Sequence, residues 1–153
     1  MKQLVLVGGG HSHLFVLEAA AQGKLPGVEV TLVAPARNNK GNFNSYTIWE
    51  TERSGIALRH LPRMTHAKAI VIDGETLVTG SCNFDSVSLR AEEEIVLIAS
   101  DPELVGRFVE RVAGPDTRDS VPYEGGARRI RGPIANAQLR ATDRLAAWSA
   151  RLR

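Results

Sequence analysis

Between His66 and Glu94 the chain concentrates an imidazole, an ammonium, two carboxylates, a hydroxyl and a carboxamide, carried by His66, Lys68, Asp73, Ser81, Asn83 and Glu94. The first part reads HAKAIVID, a His-x-Lys-x-x-x-x-Asp pattern, and GSCNF follows from Gly80 to Phe84. An imidazole can attack phosphorus and carry it through a covalent intermediate. An ammonium, a hydroxyl and a carboxamide can hold phosphoryl oxygens and stabilise charge that develops on them. A carboxylate can orient the imidazole and support its cationic form. The set suits attack on a phosphodiester, and it needs no metal to do so.

Those side chains need an element that presents them together. The β-branched, apolar run from Thr65 to Ile72 predicts a strand. Side chains alternate faces along a strand, so His66 and Lys68 share one and can grip a small anion. Asp73-Gly74 is a hairpin signal, and Thr76 to Thr79 is the expected returning strand. Ser81 and Asn83, two apart at its end, again fall on one side. Glu94 opens the apolar run EIVLIAS, in which Ile95 to Ala99 reads as a buried strand.

These residues in this order resemble the HKD motif of the phospholipase D superfamily, which includes phospholipases D, cardiolipin synthases and a small bacterial endonuclease. His66, Lys68 and Asp73 match the motif. Gly80, Ser81 and Asn83 match its downstream Gly-Ser-x-Asn, and Glu94 falls where the family carries its glutamate. The wording MTHAKAIVIDG, VTGSCNFD and EEE is most similar to the second half of phospholipase D and cardiolipin synthase-like proteins, with the resemblance running from about Gly27 to Asp116. The resemblance implies an α/β/α sandwich with a mixed central sheet. It implies a phosphodiesterase or phosphatidyltransferase with no cofactor, acting on a phosphodiester, phospholipid before nucleic acid. Two motifs make one active site in this family and the chain carries one, so a homodimer is implied. In the implied mechanism His66 forms a phosphohistidine and His66 of the partner subunit protonates the leaving alcohol. Lys68, Ser81 and Asn83 hold the phosphate and Glu94 orients the histidine. Asp73 fixes the hairpin rather than touching substrate.

Length and charge agree with a domain of this kind. A chain of 153 residues is enough for one sizeable core. The formal net charge of +2 is nearly balanced, and a pI near 9.0 is a mild basic lean, not a nucleic-acid signature by itself. The single Cys82 excludes an intramolecular disulfide and reads as a small buried hydrophobe. No apolar run is long enough to span a bilayer, and the N-terminus lacks a signal peptide's basic region, apolar core and cleavage site. The expectation is a cytoplasmic protein.

Upstream, Gln3 to Val7 reads as a strand, His11 to Gln22 as a helix and Gly27 to Ala34 as a second strand, a β-α-β unit with parallel strands. The opening LVLVGGGHSHLFVLEAAAQGKLPGVEVTLVAP also resembles the start of an FAD-dependent pyridine nucleotide-disulfide oxidoreductase, in which glycines admit a pyrophosphate to a helix N-terminus. Gly8 and Gly10 fit that fingerprint, while His13 stands where its third glycine or alanine belongs. No acidic residue ends the second strand, and the chain is far too short for a flavin reductase. Residues 1–35 are therefore expected to serve as a structural β-α-β unit, the alternatives for the chain being an FAD- or NAD-binding oxidoreductase fragment or an inactive interaction fragment. His11 and His13 cannot share a helix face and are expected to cap the helix or meet solvent.

Arg37 to Ser45 is a polar loop, Tyr46 to Ser54 a helix and Ile56 to His60 a strand. Arg59, His60 and Arg63 form a basic collar ahead of His66, which either attracts a phosphate or forms a solvated edge. Glu92 and Glu93 are expected to face solvent. Ser100, Asp101, Pro102 and Glu103 start a helix, with Pro at an early position and Ser100 and Glu103 spaced for a capping box, and Gly114-Pro115 is expected to stop it. The phospholipase D-like domain is thus bounded at 1–116. Residues 117–153 read as a linker followed by a basic helix from Pro133 to Leu152, with Arg140, Arg144 and Arg151 beside an apolar stripe. Such a helix packs on its own domain or a dimer partner, or lies on an anionic membrane surface as a peripheral contact.

Overall fold

The computed structural model describes residues 1–8, 13–35, 51, 55–84, 86–90, 92–123, 137 and 141. Gly10, His11, the polar loop from Arg37 and most of the helix expected over 46–54 lie outside the described residues. So do the basic run 127–131 and nearly all of the helix expected over 133–152.

Seven strands form one mixed sheet: β1 (Lys2–Val7), β2 (Val28–Pro35), β3 (Ala57–Leu61), β4 (Ala69–Ile72), β5 (Thr76–Gly80), β6 (Val96–Ala99) and β7 (Val121–Pro122). Their order is β6-β5-β4-β1-β2-β3-β7. β1, β2 and β3 run parallel, joined at the first step by helix α1 (Leu14–Ala21), as the β-α-β reading requires. β4, β5 and β6 continue the sheet antiparallel as a meander.

Both faces of the central strands are covered, which explains their unbroken apolar sequence. On one face Leu6, Leu32 and Ile70 pack with Leu17 of α1. On the other Val7, Ala69, Val71 and Leu77 pack with Val105 and Ala113 of the C-terminal helical segment. Neighbouring residues of β1 and β4 thus feed opposite cores, which makes the fold a three-layer α/β/α sandwich.

Three expectations need correction. The helix that starts at Pro102 does not end at Gly114-Pro115. It runs as α3 (Pro102–Phe108), widens into a π-turn (Val109–Ala113) and continues as α4 (Gly114–Asp119); α2 is the short helix Ser86–Arg90. Pro115 has no N–H for the carbonyl one turn back, and its ring would crowd that turn. The wider turn absorbs both problems. The cap is Asp101, whose Oδ1 accepts the Leu104 N–H at 2.8 Å, and not a box headed by Ser100, whose hydroxyl pairs with Thr76.

Residues 117–122, read as linker, are built into the fold. α4 brings Asp116 and Asp119 to Arg63, and β7 pairs with β3. Arg59 donates to the Ser120 side chain at 2.8 Å and to its carbonyl at 2.7 Å. The basic collar therefore serves internal contacts: Arg59 and Arg63 are engaged by the C-terminal helix.

Finally, β6 is an exposed edge and not a buried strand. Ile95 is 79% exposed and Ile98 69%. Among the described residues β6 pairs with β5 alone, and neither core cluster includes it. An apolar edge of this kind is a template for association unless something covers it.

Candidate active site

The site gathers where β4 begins and β5 ends. The strand expected from Thr65 begins only at Ala69, so His66 and Lys68 precede the ladder. Local bonds divert the backbone there. The Ala67 N–H turns back to Thr65 Oγ1 at 3.2 Å, and the Thr79 hydroxyl donates to the Lys68 carbonyl at 3.0 Å. The pairing of the two side chains survives this. Lys68 Nζ lies 3.1 Å from His66 Nδ1 and 3.2 Å from Nε2. Both ring nitrogens at that range place the ammonium against the ring rather than in line with one lone pair. His66 is exposed, while Lys68 is buried at 8% exposure. The cation is thus held and the imidazole is offered to solvent.

Opposite stand Ser81 and Glu94. Gly80 pairs with Val96 so closely that a Cβ would lie 2.0 Å from the Ile95 carbonyl oxygen. That approach brings the Ser81 hydroxyl to the Glu94 carboxylate, to which it donates, while accepting the Ile95 N–H at 3.1 Å. Bonds from Ser81, then Ser88, hold the Glu94 carboxyl below the ordinary carboxylate range, and the Lys68 charge adds to this. The carboxylate therefore stays ionised facing Lys68. The two serines hold it, and Glu92 adds a further contact.

Asn83 is fixed through its backbone from two sides. Its N–H donates to Ser88 Oγ at 3.2 Å, and its carbonyl accepts the His13 N–H at 2.9 Å. Cys82 beside it is buried, as expected of a small hydrophobe.

Asp73 stands apart. It lies at the far end of β4, about 15 Å along the strand from Lys68 at strand rise. Its Oδ1 accepts the Gln3 N–H at 2.6 Å and its own N–H donates to the Gln3 carbonyl at 2.9 Å. It also takes a left-handed conformation, φ 53°, at the hairpin, followed by Gly74 at φ 74°. The structure thus joins His66, Lys68, Ser81, Asn83 and Glu94 and leaves Asp73 to the hairpin.

Two residues close to the site carry more than their sequence reading. His13, expected to cap α1 or meet solvent, is fully buried and makes no side-chain capping bond. Its Nε2 lies 3.2 Å from the Val7 carbonyl and its ring stacks on Phe84 with centroids 5.5 Å apart. Among the described residues its Nδ1 has no partner. Burial, with Lys68 nearby, lowers its pKa from 6.5 to about 4, so it is neutral. The anomaly in the sequence was the bulky His13 where the glycine fingerprint wants a small residue. Ser88 drew no attention in the sequence, yet it is buried, and its hydroxyl donates to Glu92 at 3.4 Å. The four-residue step from Ser88 to Glu92 was the available signal. Glu92 is exposed, as expected, but is tied to the site by that bond.

The opening glycine serves the chain itself. A Cβ on Gly8, φ 141°, would lie 2.1 Å from the Ala67 carbonyl oxygen. A glycine here lets the end of β1 pack against the backbone just before Lys68. Gly10 lies outside the described residues. Among the described residues no three His, Cys, Asp or Glu side chains gather as a metal-binding group.

Comparison with known proteins bears on the family and the fold. The family described as cardiolipin synthase, PLD-like domain, matches residues 8–113. A phospholipase D of Rickettsia felis is 26% identical over 101 residues, covering 66% of this chain and 50% of the relative. Cardiolipin synthase A of Pseudomonas aeruginosa is 28% identical over 118 residues, covering 74% of this chain and 24% of the relative. The chain thus spans half or less of the length of these curated relatives. Among solved structures, the phospholipase D family member Nuc from Salmonella typhimurium superposes with a TM-score of 0.65 at 25% identity, covering 80% of this chain and 82% of Nuc. Phosphatidylserine synthase of Haemophilus influenzae shares the fold, with a TM-score of 0.61 at 13% identity, covering 96% of this chain and 41% of the synthase.

Proposed function

The chain belongs to the phospholipase D superfamily, a family of phosphodiesterases and phosphatidyltransferases, and from that membership we propose that it cleaves or transfers phospholipid phosphodiesters through a phosphohistidine. The observation that carries this reading is the Lys68 ammonium held against the ring of an exposed His66. A nucleophile must be reachable, and the cation beside it must be fixed before the phosphate arrives. Both conditions are met.

In the first step a nitrogen of His66 attacks phosphorus, forming an N–P bond as the P–O bond to the leaving alcohol breaks. His66 of the partner subunit, entering as imidazolium, gives its proton to the leaving oxygen. In the second step that imidazole takes a proton from water or an acceptor alcohol, whose oxygen forms the new P–O bond as the N–P bond breaks. Lys68 and the Ser81 and Asn83 side chains hold the phosphoryl oxygens. Glu94 balances Lys68 and, through it, sets the histidine.

One motif per chain then calls for two chains around a two-fold axis near His66. The bare apolar strand β6, which follows directly on Glu94, supports such a pairing beside the site. A cytoplasmic enzyme with a peripheral membrane contact is the setting this reading implies, and cardiolipin synthase relatives favour a lipid over a nucleic acid.

The test is a phosphodiester assay on phosphatidylglycerol vesicles and on a nucleic acid, run beside light scattering. A dimer that turns over the lipid and yields acid-labile phosphohistidine on the His66 peptide is expected. A monomer that turns over phosphodiesters would overturn the two-subunit site. Turnover of the nucleic acid alone would overturn the lipid assignment.

A further inference from the structure

Asn83 and Glu94 approach the site from different elements, the end of β5 and the loop before β6. Neither position is set by the β-ladder, because β5 ends at Gly80 and β6 starts at Val96. Something else must hold the carboxamide and the carboxylate in register. Among the described residues, Ser88 of α2, buried at 2% exposure, reaches both segments from a third element. Its oxygen accepts the Asn83 N–H at 3.2 Å. Its hydroxyl donates into the acidic loop, to Glu92 at 3.4 Å, and it helps to lower the Glu94 carboxyl. A hydroxyl can accept and donate at once, so one buried oxygen links the two segments in a relay. Burial matters here: with little competing water, the hydroxyl is committed to these partners.

The geometry points to Ser88 as a positioning residue that couples Asn83 to Glu94 and so sets the polar wall facing Lys68 and His66. Ser88 acts through the backbone N–H of Asn83 and through the acidic loop, and the inference rests on the phosphodiester reading of the site. Ser81 gives Glu94 its other bond. Without Ser88, Ser81 and the Lys68 charge still hold the carboxylate, while the Asn83 backbone keeps only its His13 anchor.

The groups facing Glu94 are Lys68, Ser81, Ser88 and Glu92. The experiment follows the Glu94 carboxyl carbon by NMR through a pH titration, assigned by Glu94→Gln. Ser88→Ala and the near-isosteric Ser88→Cys remove the hydroxyl, and Ser88→Thr keeps it. Glu94 should titrate at higher pH in the Ala and Cys variants and return towards wild type in the Thr variant. The same order should show in kcat, with a fall of about tenfold to a hundredfold in the Ala and Cys variants, typical of misplaced catalytic groups, and a smaller change in KM. The Cys variant carries the test should Ser88→Ala fail to fold. An unchanged Glu94 titration in a folded variant without the hydroxyl would overturn the coupling. So would an equal shift in all three variants. The titration needs no turnover: an inactive wild-type protein would overturn the proposed function and leave Ser88 to be judged by the NMR result alone.

Discussion

At the start of β4, Lys68 is buried with its ammonium on the ring of His66. At the other end Asp73 is exposed and bonded to the backbone of Gln3. One sequence motif spans both ends, and the two are built for different work. The Lys68 end lies outside the regular ladder, its backbone diverted by Thr65 and Thr79 and pressed against Gly8. The Asp73 end is a tight hairpin whose carboxylate and N–H complete the pairing with β1. The strand between them is buried on both faces and ties the two ends together as one rigid element. The difference teaches that residues can travel together in a motif because a strand needs its turn, while the proposed chemistry uses only one end.

The largest effect should come from His66. His66 is the proposed covalent nucleophile, so its loss should lower turnover by about 10⁴-fold or more, the scale seen when a nucleophile is removed. Because the ring is exposed, His66→Ala should leave the melting temperature nearly unchanged. Steady-state rates and a thermal melt on the same sample check both statements. Residual turnover above a hundredth of wild type would remove His66 from the mechanism and erase the contrast between the two ends.

Lys68→Ala and Asn83→Ala come next. Each should weaken stabilisation of charge on the phosphoryl oxygens by about 3 kcal/mol, the scale of an oxyanion donor, seen in kcat more than in KM. Lys68 also fills a buried place, so its variant should lose some stability where His66→Ala does not. Equal melting temperatures for the two would show that burial of the lysine does not support the fold.

His13 sharpens the comparison through pH. Burial is the main cause of its lowered pKa, from 6.5 to about 4, and the Lys68 charge adds to it. As pH falls through 6.5 the unfolded chain takes up the proton while the folded chain resists. Stability is therefore complete above pH 6.5 and lost progressively down to about pH 4. At 1.36 kcal/mol per pH unit the loss amounts to about 3 kcal/mol. Denaturant melts between pH 7 and 4 should show this slope in wild type and a flatter profile in His13→Gln, which keeps an amide donor for the Val7 carbonyl. An identical slope in the variant would mean that other groups carry the acid sensitivity.

Much of this was legible in the sequence, and the exceptions share a cause. The hairpin at Asp73-Gly74, the β-α-β opening and the pairing of His66 with Lys68 follow from local rules of turn, period and spacing. The strand start at Thr65 failed because Ala67 and Lys68 spend their backbone bonds on nearby threonine hydroxyls. The stop at Pro115 failed because a π-turn can absorb a proline that an α-turn cannot. β6 reads as a core strand, yet its apolar side chains are bare because its place at the sheet edge is set by topology. The linker reading at Thr117 missed Arg59 and Arg63, which are far away in sequence and close in space. Within the site, the chemical residues announced themselves by type. Ser88 and His13 did not, because their importance lies in what they hold.

The smallest effect should fall at the other end of β4, and it decides whether the contrast is real. Asp73 spends its carboxylate on the Gln3 N–H, an exposed bond worth about 1 kcal/mol. It also tolerates φ 53°, where alanine is strained by a further 1 kcal/mol or so. Asp73→Ala should therefore cost about 2 kcal/mol of stability by denaturant melt. Asp73→Asn keeps both an oxygen acceptor and tolerance of the left-handed region, so it should stay within about 0.5 kcal/mol of wild type. Turnover by either variant, measured well below its melting temperature, should remain within twofold of wild type, because β4 carries no charge of Asp73 to the site over about 15 Å of strand. A large loss of kcat in the folded Asp73→Asn variant would place this carboxylate in the chemistry, and both ends of β4 would then belong to the active site.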